Sequence, residues 1–454
     1  MSRTLVTDLY ELNMAASYLR RGMTAPATFS LFVRKLPRSW GFLVACGLER
    51  CLEFLEDLRF DDEDLEYLGR ELRFPDETLE AFSRVRFTGE VRAVPEGRVV
   101  FAEEPLLEVT APLPEAQLVE TYLLNQVTYQ TAVASKAARC RLAAPEASLV
   151  DFSLRRVHGA EAGLGVARAT AMVGFTGTSN VEAARLLGLR AAGTMAHSFV
   201  EAFPSEIEAF RAFAEDFPDR VVLLVDTYDT ERGVAKAIEV AEQVAARGHH
   251  VAAIRLDSGD LAVLATKARA MLDEAGLTEV QIFASGGLDE NALAELTAAG
   301  APIDAYGVGT KVGVAADAPA LDSVYKLVEY DGRPVSKLST AKKTLPGPKQ
   351  VWRKAGMAGD VIGLASEEGP AGAEPLLVGV MAEAQRPSQE LTWSESEVRR
   401  NGLPPARNRF DTELASLPET LRSLQPEPYP VERTPALDRL ADEVAEEIRR
   451  RELG

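Results

Sequence analysis

Between residues 149 and 308, short apolar runs alternate with amphipathic stretches, and this rhythm restricts the fold more than any other property of the chain. The runs are 149–154 (LVDFSL), 189–195 (LRAAGTM), 221–226 (VVLLVD), 251–256 (VAAIRL), 280–284 (VQIFA) and 303–308 (IDAYGV). Between them lie 206–216, 231–247, 258–275 and 289–299, with apolar residues at helical spacing. A short continuous apolar run suits a strand covered on both faces, and crossover helices supply that cover. Runs starting at 221, 251, 280 and 303 are 30, 29 and 23 residues apart, the length of one βα unit. The pattern predicts a parallel (β/α) assembly over about residues 120–330. No glycine-rich dinucleotide loop follows the first strand, so a barrel is expected rather than an open sheet.

The flanks read differently. Residues 9–21 have helical spacing, with Thr7 or Asp8 as cap and Tyr10 in the first turn. Residues 27–34 alternate Phe29, Leu31 and Val33 as a strand does, and 48–58 form an amphipathic helix. Short strand-like pieces fill 86–110 and end near 112–115, and 118–140 return to a helical pattern. Asp331-Gly332 between two strand candidates signals a hairpin. Residues 360–380 read as loosely organised, and 415–423 and 435–452 as helical.

Composition narrows the function. A hydrophobic fraction of 46% over 454 residues supports packed cores and excludes a disordered chain. A formal charge of −19 argues against nucleic-acid or anionic-membrane binding, which need a basic footprint, but leaves room for a small anionic substrate in a local arginine pocket. Cys46, Cys51 and Cys140 form no C-x-x-C pair; free thiols in a reducing compartment are expected. Three cysteines exclude a four-cysteine zinc site, and four histidines leave little for an all-histidine one. The start carries Asp8 and Glu11 rather than a long apolar run, and no 18-residue uncharged apolar stretch occurs. A cytoplasmic protein is the expectation.

In a parallel barrel the chemistry sits at the carboxyl ends of the strands. Six successive runs lead into polar or glycine-rich clusters. They are Arg155-Arg156, then His197-Ser198 after Gly193-Thr194, then Asp226-Thr227-Tyr228-Asp229. The next are Arg255 with Asp257 to Asp260, Ser285-Gly286-Gly287, and Gly309-Thr310-Lys311 after Gly307. Such regularity points to an enzyme. Gly286-Gly287 and Gly307/Gly309-Thr310 resemble paired phosphate grips, because glycine lets successive N–H groups converge on one anion. Asp226, Asp229, Asp257 and Asp260 suit Mg²⁺, ribose hydroxyls or the orientation of neighbouring bases; spacing does not choose among these. Arg155 and Arg255 suit a carboxylate or phosphate, or a salt bridge to those same aspartates. His197, at a strand end, suits a base, a ligand or a nucleophile. His158 has no assigned role, and His249 and His250 precede a strand, at the other end. GFTGTSN (174–180) is a further polar turn. A Schiff-base barrel enzyme needs a strand-end lysine, and Lys311, after a glycine turn, is the candidate.

Taken together, TDLYELNMA (7–15), FSLFVRKLP (30–37), GFLVACGLE (41–49), DFSLRR (151–156), GTMAHSFV (193–200), LLVDTYDT (223–230), RLDSGDL (255–261), FASGGLDE (283–290), YGVGTKV (306–312) and VYKLVEYDGRPVSKLS (324–339) resemble the nicotinate phosphoribosyltransferase family. The resemblance implies a type II phosphoribosyltransferase fold, an irregular α/β barrel plus a mixed α/β domain. The expected divisions are 1–118, the N-terminal mixed domain; 119–330, the catalytic barrel; and 331–454, a C-terminal segment beside the N-terminal domain. It implies ATP-assisted joining of nicotinate to 5-phosphoribosyl 1-diphosphate through a transient phosphohistidine, in NAD salvage. It also implies a homodimer with an interfacial active site. By the same resemblance His197 is the phosphorylated residue and Arg255 contacts substrate, with Arg155 nearby. Thr194 and Ser198 line the pocket, and Asp226 and Asp257 face substrate. Gly286, Gly287, Gly309 and Thr310 hold phosphate, and Tyr10 stacks on the pyridine ring from the partner subunit. Mg²⁺ arrives on the substrate phosphates rather than on protein ligands. A nicotinamide-using sister enzyme and a non-catalytic phosphate-binding barrel are the alternatives.

Overall fold

The computed structural model describes residues 3–338, 344–386 and 403–453. Two units are distinguished: residues 136–317, and residues 1–135 together with 318–454. The expected divisions at 118 and 330 lie elsewhere. The first observed boundary, between residues 135 and 136, falls inside the continuous helix Glu120–Ala143, and the strand Ser323–Tyr330 belongs with the N-terminal strands because it pairs with Pro26–Val33.

The unit of residues 136–317 is a six-stranded parallel sheet that curls into a partial barrel. Its order is Gly177–Thr178, Ser148–Asp151, Ala305–Val308, Gln281–Ser285, Val251–Leu256 and Val221–Leu224. The amphipathic stretches form the helices Glu206–Asp216, Thr230–Ala245, Leu261–Glu274 and Glu290–Ala298. The apolar stripes of the first three, including Phe210, Ala237, Val240, Ala268 and Leu272, pack with Leu223, Ile254 and Ile282 of the strands into one buried cluster. Residues 189–195 are a correction. They form a loop with a single bridge, Thr178 to Ala191. Arg190, Ala191 and Gly193 are exposed, so this run has no covering layer, and Gly177–Thr178 takes the sheet position instead.

The other unit carries a six-stranded antiparallel sheet: Arg333–Pro334, Ser323–Tyr330, Pro26–Val33, Pro105–Pro112, Glu90–Ala93 and Val378–Ala382. The Asp331-Gly332 hairpin forms with φ of 51° and 69°, the left-handed pair such a turn requires. Phe29 stacks on Tyr325 at 4.7 Å, and the Tyr325 hydroxyl donates to the Ala116 carbonyl at 2.8 Å. Residues 360–380 are also corrected. Asp360–Leu364 is a strand paired with Lys349–Arg353 and Val431–Arg433, and buried Arg353 bridges Asp360 and Glu413 at 2.7 Å each. The glycine and proline residues that suggested a loosely organised segment lie mainly in the turn after that strand. The late helices are Leu403–Ser416, Glu419–Arg422 and Pro435–Glu452. Ser339, the last residue of the segment 324–339, lies outside the described residues.

All three cysteines are free and buried. Among the described residues no helix is long and apolar enough to cross a membrane.

Candidate active site

The carboxyl ends of the parallel strands are tied together by side chains from successive loops. Asp226, just after Val221–Leu224, accepts on Oδ2 from the Asp257 backbone N–H and from the Ser258 hydroxyl, both at 2.8 Å. Asp257 accepts on Oδ1 from Arg255 Nη2 and from the Ser285 hydroxyl, both at 2.5 Å. Arg255 Nε donates to Ser285 Oγ at 2.8 Å, and its guanidinium lies 5.4 Å from the centre of the Phe152 ring. Burial pushes the Asp257 carboxyl up. The Ser285 hydrogen bond, the Arg255 charge and nearby His197 outweigh that and hold it below the ordinary value. Asp257 is therefore an anion at neutral pH, and it fixes the fork of Arg255.

His197 heads the short helix His197–Glu201 and is half-buried. Its Nδ1 lies 3.2 Å from Thr227 Oγ1, the donor depending on the tautomer. Arg255 Nη1 reaches the Met195 carbonyl at 3.4 Å, so the loop before His197 meets the Arg255 cluster. Oδ1 of Asp226 is buried without a hydrogen-bond partner among the described residues. An acceptor left open there is suited to a donor that arrives with a ligand.

The two glycine turns leave neighbouring strands, since Ser285 pairs with Gly307. Gly286 has φ of +100°, and a Cβ there would lie 2.0 Å from the Asp257 carbonyl oxygen, so no other residue fits. Gly309 precedes the short helix Thr310–Gly313, and Thr310 is exposed. Asp289 caps the helix Glu290–Ala298 by accepting from the Ala292 N–H at 3.0 Å, and it also accepts from Lys311 Nζ at 2.8 Å. Behind it, fully buried Glu290 is held by Lys136 at 2.7 Å and Arg139 at 3.1 Å.

Asp229 and Asp260 serve as helix caps, accepting from the Arg232 N–H at 2.9 Å and the Val263 N–H at 3.2 Å. Arg155 is exposed on the turn Leu154–Arg156; Thr194 is half-buried and Ser198 exposed in the loop around His197. Sequence reasoning assigned no role to Thr227, Ser285 or Phe152. All three stand inside quoted motifs, but only the fold turns them toward His197 and Arg255. Lys311, the Schiff-base candidate, is instead engaged in an ion pair with Asp289.

Tyr10 belongs to the other unit. It lies in the first turn of Leu9–Arg20 and is 46% exposed. Burial of its inner part, with Glu120 and Glu11 nearby, raises its phenol far above the ordinary value. Asp8 stands at the cap position without a side-chain cap bond, and the Thr7 hydroxyl donates to Glu11 instead. Glu11 has no exposed surface and also accepts from the Thr121 hydroxyl at 2.5 Å. Burial pushes its carboxyl up to about 7, against the pull of the two threonine hydroxyls, and the charge of Glu120 adds to the rise.

A curled parallel sheet with glycine turns and an arginine–carboxylate cluster at its strand ends has the architecture of a type II phosphoribosyltransferase. Residues 5–128 match the nicotinate phosphoribosyltransferase N-terminal domain, and residues 147–354 match the nicotinate phosphoribosyltransferase family. A nicotinate phosphoribosyltransferase of Mycobacterium tuberculosis is 48% identical over 94% of this chain and 90% of its own. One from Bacillus subtilis is 45% identical over 81% of this chain and 77% of its own. The crystal structure of human nicotinic acid phosphoribosyltransferase superposes with a TM-score of 0.84 at 30% identity, covering 96% of this chain and 99% of that one. The chain belongs to the nicotinate phosphoribosyltransferase family, a family of enzymes.

Proposed function

We propose that this enzyme joins nicotinate to 5-phosphoribosyl 1-diphosphate, giving nicotinate mononucleotide and diphosphate, with ATP hydrolysis coupled through a phosphate on His197. The observation that carries the reading is the linked set Arg255, Asp257 and Ser285 with His197 and Thr227, beside two adjacent glycine turns. In this reading a ring nitrogen of His197 attacks the γ-phosphorus of ATP and ADP leaves. The phosphate adds about two negative charges at the strand ends and reorganises the surrounding loops. The pyridine nitrogen of nicotinate then attacks the anomeric carbon as diphosphate departs, and the phosphohistidine is hydrolysed to complete the cycle. Arg255, pre-set by Asp257, serves an anionic group of substrate, with Arg155 available nearby in sequence to the same strand ends. Thr194 and Ser198 line the pocket. Gly286, Gly287, Gly309 and Thr310 grip phosphate.

Mg²⁺ fits as a hydrated ion carried by the substrate phosphates, because the open, buried Oδ1 of Asp226 can accept from a metal-bound water. When bound it neutralises the departing diphosphate. Tyr10, exposed on its helix, would stack on the pyridine ring across a homodimer interface. A cytoplasmic setting accords with an enzyme of NAD biosynthesis.

The test incubates the protein with Mg²⁺, 5-phosphoribosyl 1-diphosphate and each of nicotinate, nicotinamide and quinolinate, with and without ATP, and quantifies mononucleotide and ADP. Nicotinate-specific product stimulated by ATP is the expected result. In His197→Ala, ATP stimulation should disappear while slow ATP-independent synthesis persists. Full ATP coupling in that variant rejects the histidine role.

A further inference from the structure

Lys311 is the one strand-end cation of the two glycine turns whose partner sits on the opposite turn. Its Nζ donates to Asp289 Oδ2 at 2.8 Å. The lysine side chain is 44% exposed, and that of Asp289 only 14%. Asp289 already has an occupation, capping the helix Glu290–Ala298 through the Ala292 N–H. Glu290, next in sequence, is buried between Lys136 and Arg139. The acid is therefore fixed and the lysine is the movable member of the pair. Lys311 also directly follows Thr310, in the turn that runs beside Gly286-Gly287.

We infer that Lys311 is a phosphate ligand, parked on Asp289 in the absence of substrate and turned toward a phosphate monoester held between the two glycine turns. An ammonium has three donors on a flexible stem, so Lys311 can face a phosphate while its stem remains over Asp289. A dianionic phosphate attracts the ammonium more strongly than one carboxylate, and solvent around the half-exposed chain permits the rotation. The inference rests on the proposed reading only in taking the glycine turns as the phosphate grip. It assigns a substrate contact to a residue that the motif comparison left without one.

The two members of the pair predict opposite effects. Lys311→Met removes the ligand and should weaken ribose 5-phosphate binding about tenfold or more, as loss of a charge-assisted hydrogen bond does. Lys311→Arg should restore most of it. Asp289→Asn keeps a good helix cap but releases the lysine, and should tighten binding about threefold. Binding of unphosphorylated ribose should not change in any of the three. The measurement is titration calorimetry of each full-length variant with ribose 5-phosphate and with ribose, alongside thermal melting. Unchanged ribose 5-phosphate affinity in Lys311→Met overturns the inference. So does parallel weakening in Lys311→Met and Asp289→Asn, which marks a pair that merely joins two loops. If the wild-type protein turns over nicotinate while either result is found, the inference alone fails. If the wild-type protein binds no ribose 5-phosphate and makes no product, the proposed function fails with it.

Discussion

The carboxylates at the strand ends of the parallel sheet and those beneath Tyr10 are held in opposite ways. Asp257 and Asp289 each face a cation, Arg255 and Lys311, and accept further hydrogen bonds. Both carboxyls lie below their ordinary value even though burial works against them. Glu11 and Glu120 have hydroxyls, an amide and each other for company, and the charge of Lys326 near Glu120 only partly offsets burial. Burial dominates, and both are raised. The difference teaches that burial alone does not decide the charge of a carboxylate; the nearest partner does. The strand-end group keeps fixed negative charge, which holds the Arg255 and Lys311 cations in place. Beneath Tyr10, burial pushes the Glu11 carboxyl up to about 7.

The largest effect should follow from removing the cation on the charged side of this comparison. Arg255→Met leaves Asp257 with the Ser285 hydroxyl and only the weaker influence of His197, and removes the fork proposed to contact substrate. Loss of kcat/KM of about 100-fold or more is expected, in line with losing a charged contact in a shielded site. The pH dependence carries the sharper information. A carboxyl depressed in the folded state contributes stability above its unfolded pKa, and that contribution is lost as pH falls through the folded value. Arg255→Met should therefore be destabilised most at neutral pH and approach the wild type in acid. Thermal melting from about pH 3 to about pH 8 checks this. A deficit equal at every pH would mean that the pair does not set the Asp257 charge.

On the other side the sign reverses. The Glu11 carboxyl rises from 4.5 to about 7 on folding. Ionising it in place costs stability as pH increases through that window. The span corresponds to roughly 3 kcal/mol, reduced to about 2 by solvent screening near half-exposed Tyr10 and Glu120. Glu11→Gln retains the two threonine contacts and cannot ionise, so its stability should be flatter than wild type between pH 4.5 and about 7. Denaturant midpoints at both ends of the window measure it. The charged and titratable groups around it are Asp8, Tyr10, Glu120, Tyr325 and Lys326, and an unchanged slope in Glu11→Gln would move the titration to Glu120, the other carboxyl that burial raises.

Much of this was legible in the chain. Five of the six apolar runs and all four amphipathic stretches form strands and helices within a few residues, because their period directly encodes a covered strand and a one-sided helix. The strand-end rule places Arg255 and the glycine turns at true strand ends, since a polar residue that terminates a buried run is exceptional, whereas His197 is reached from a run that proves to be a loop. What stayed hidden depends on contacts between distant residues. Nothing near Lys311 in sequence announces Asp289 as its partner, and nothing near His197 announces Thr227. The run 189–195 has the composition of a strand but lacks a layer to cover it. Tyr10 carries no periodic signal at all; the family resemblance alone attached a role to it.

The smallest effects separate the two kinds of strand-end aspartate. Asp226, Asp229, Asp257 and Asp260 are alike in sequence, four acids after two apolar runs. The structure divides them: Asp229 and Asp260 accept from backbone N–H groups three residues on and serve as helix caps, while Asp226 holds the next loop and keeps a buried oxygen open. Asparagine caps as well as aspartate, whereas alanine costs about 1 kcal/mol. Asp229→Ala and Asp260→Ala should each lower stability by about that amount, and the two asparagine variants by a few tenths at most. With the caps intact, Asp229→Asn and Asp260→Asn should keep wild-type kcat/KM across a Mg²⁺ titration. A raised Mg²⁺ requirement in either would show that the cap also serves the metal-bearing substrate, and would erase the division between the pairs. Equal loss of stability in the asparagine and alanine variants would show instead that charge at the helix N-terminus, rather than the hydrogen bond, is what these acids supply.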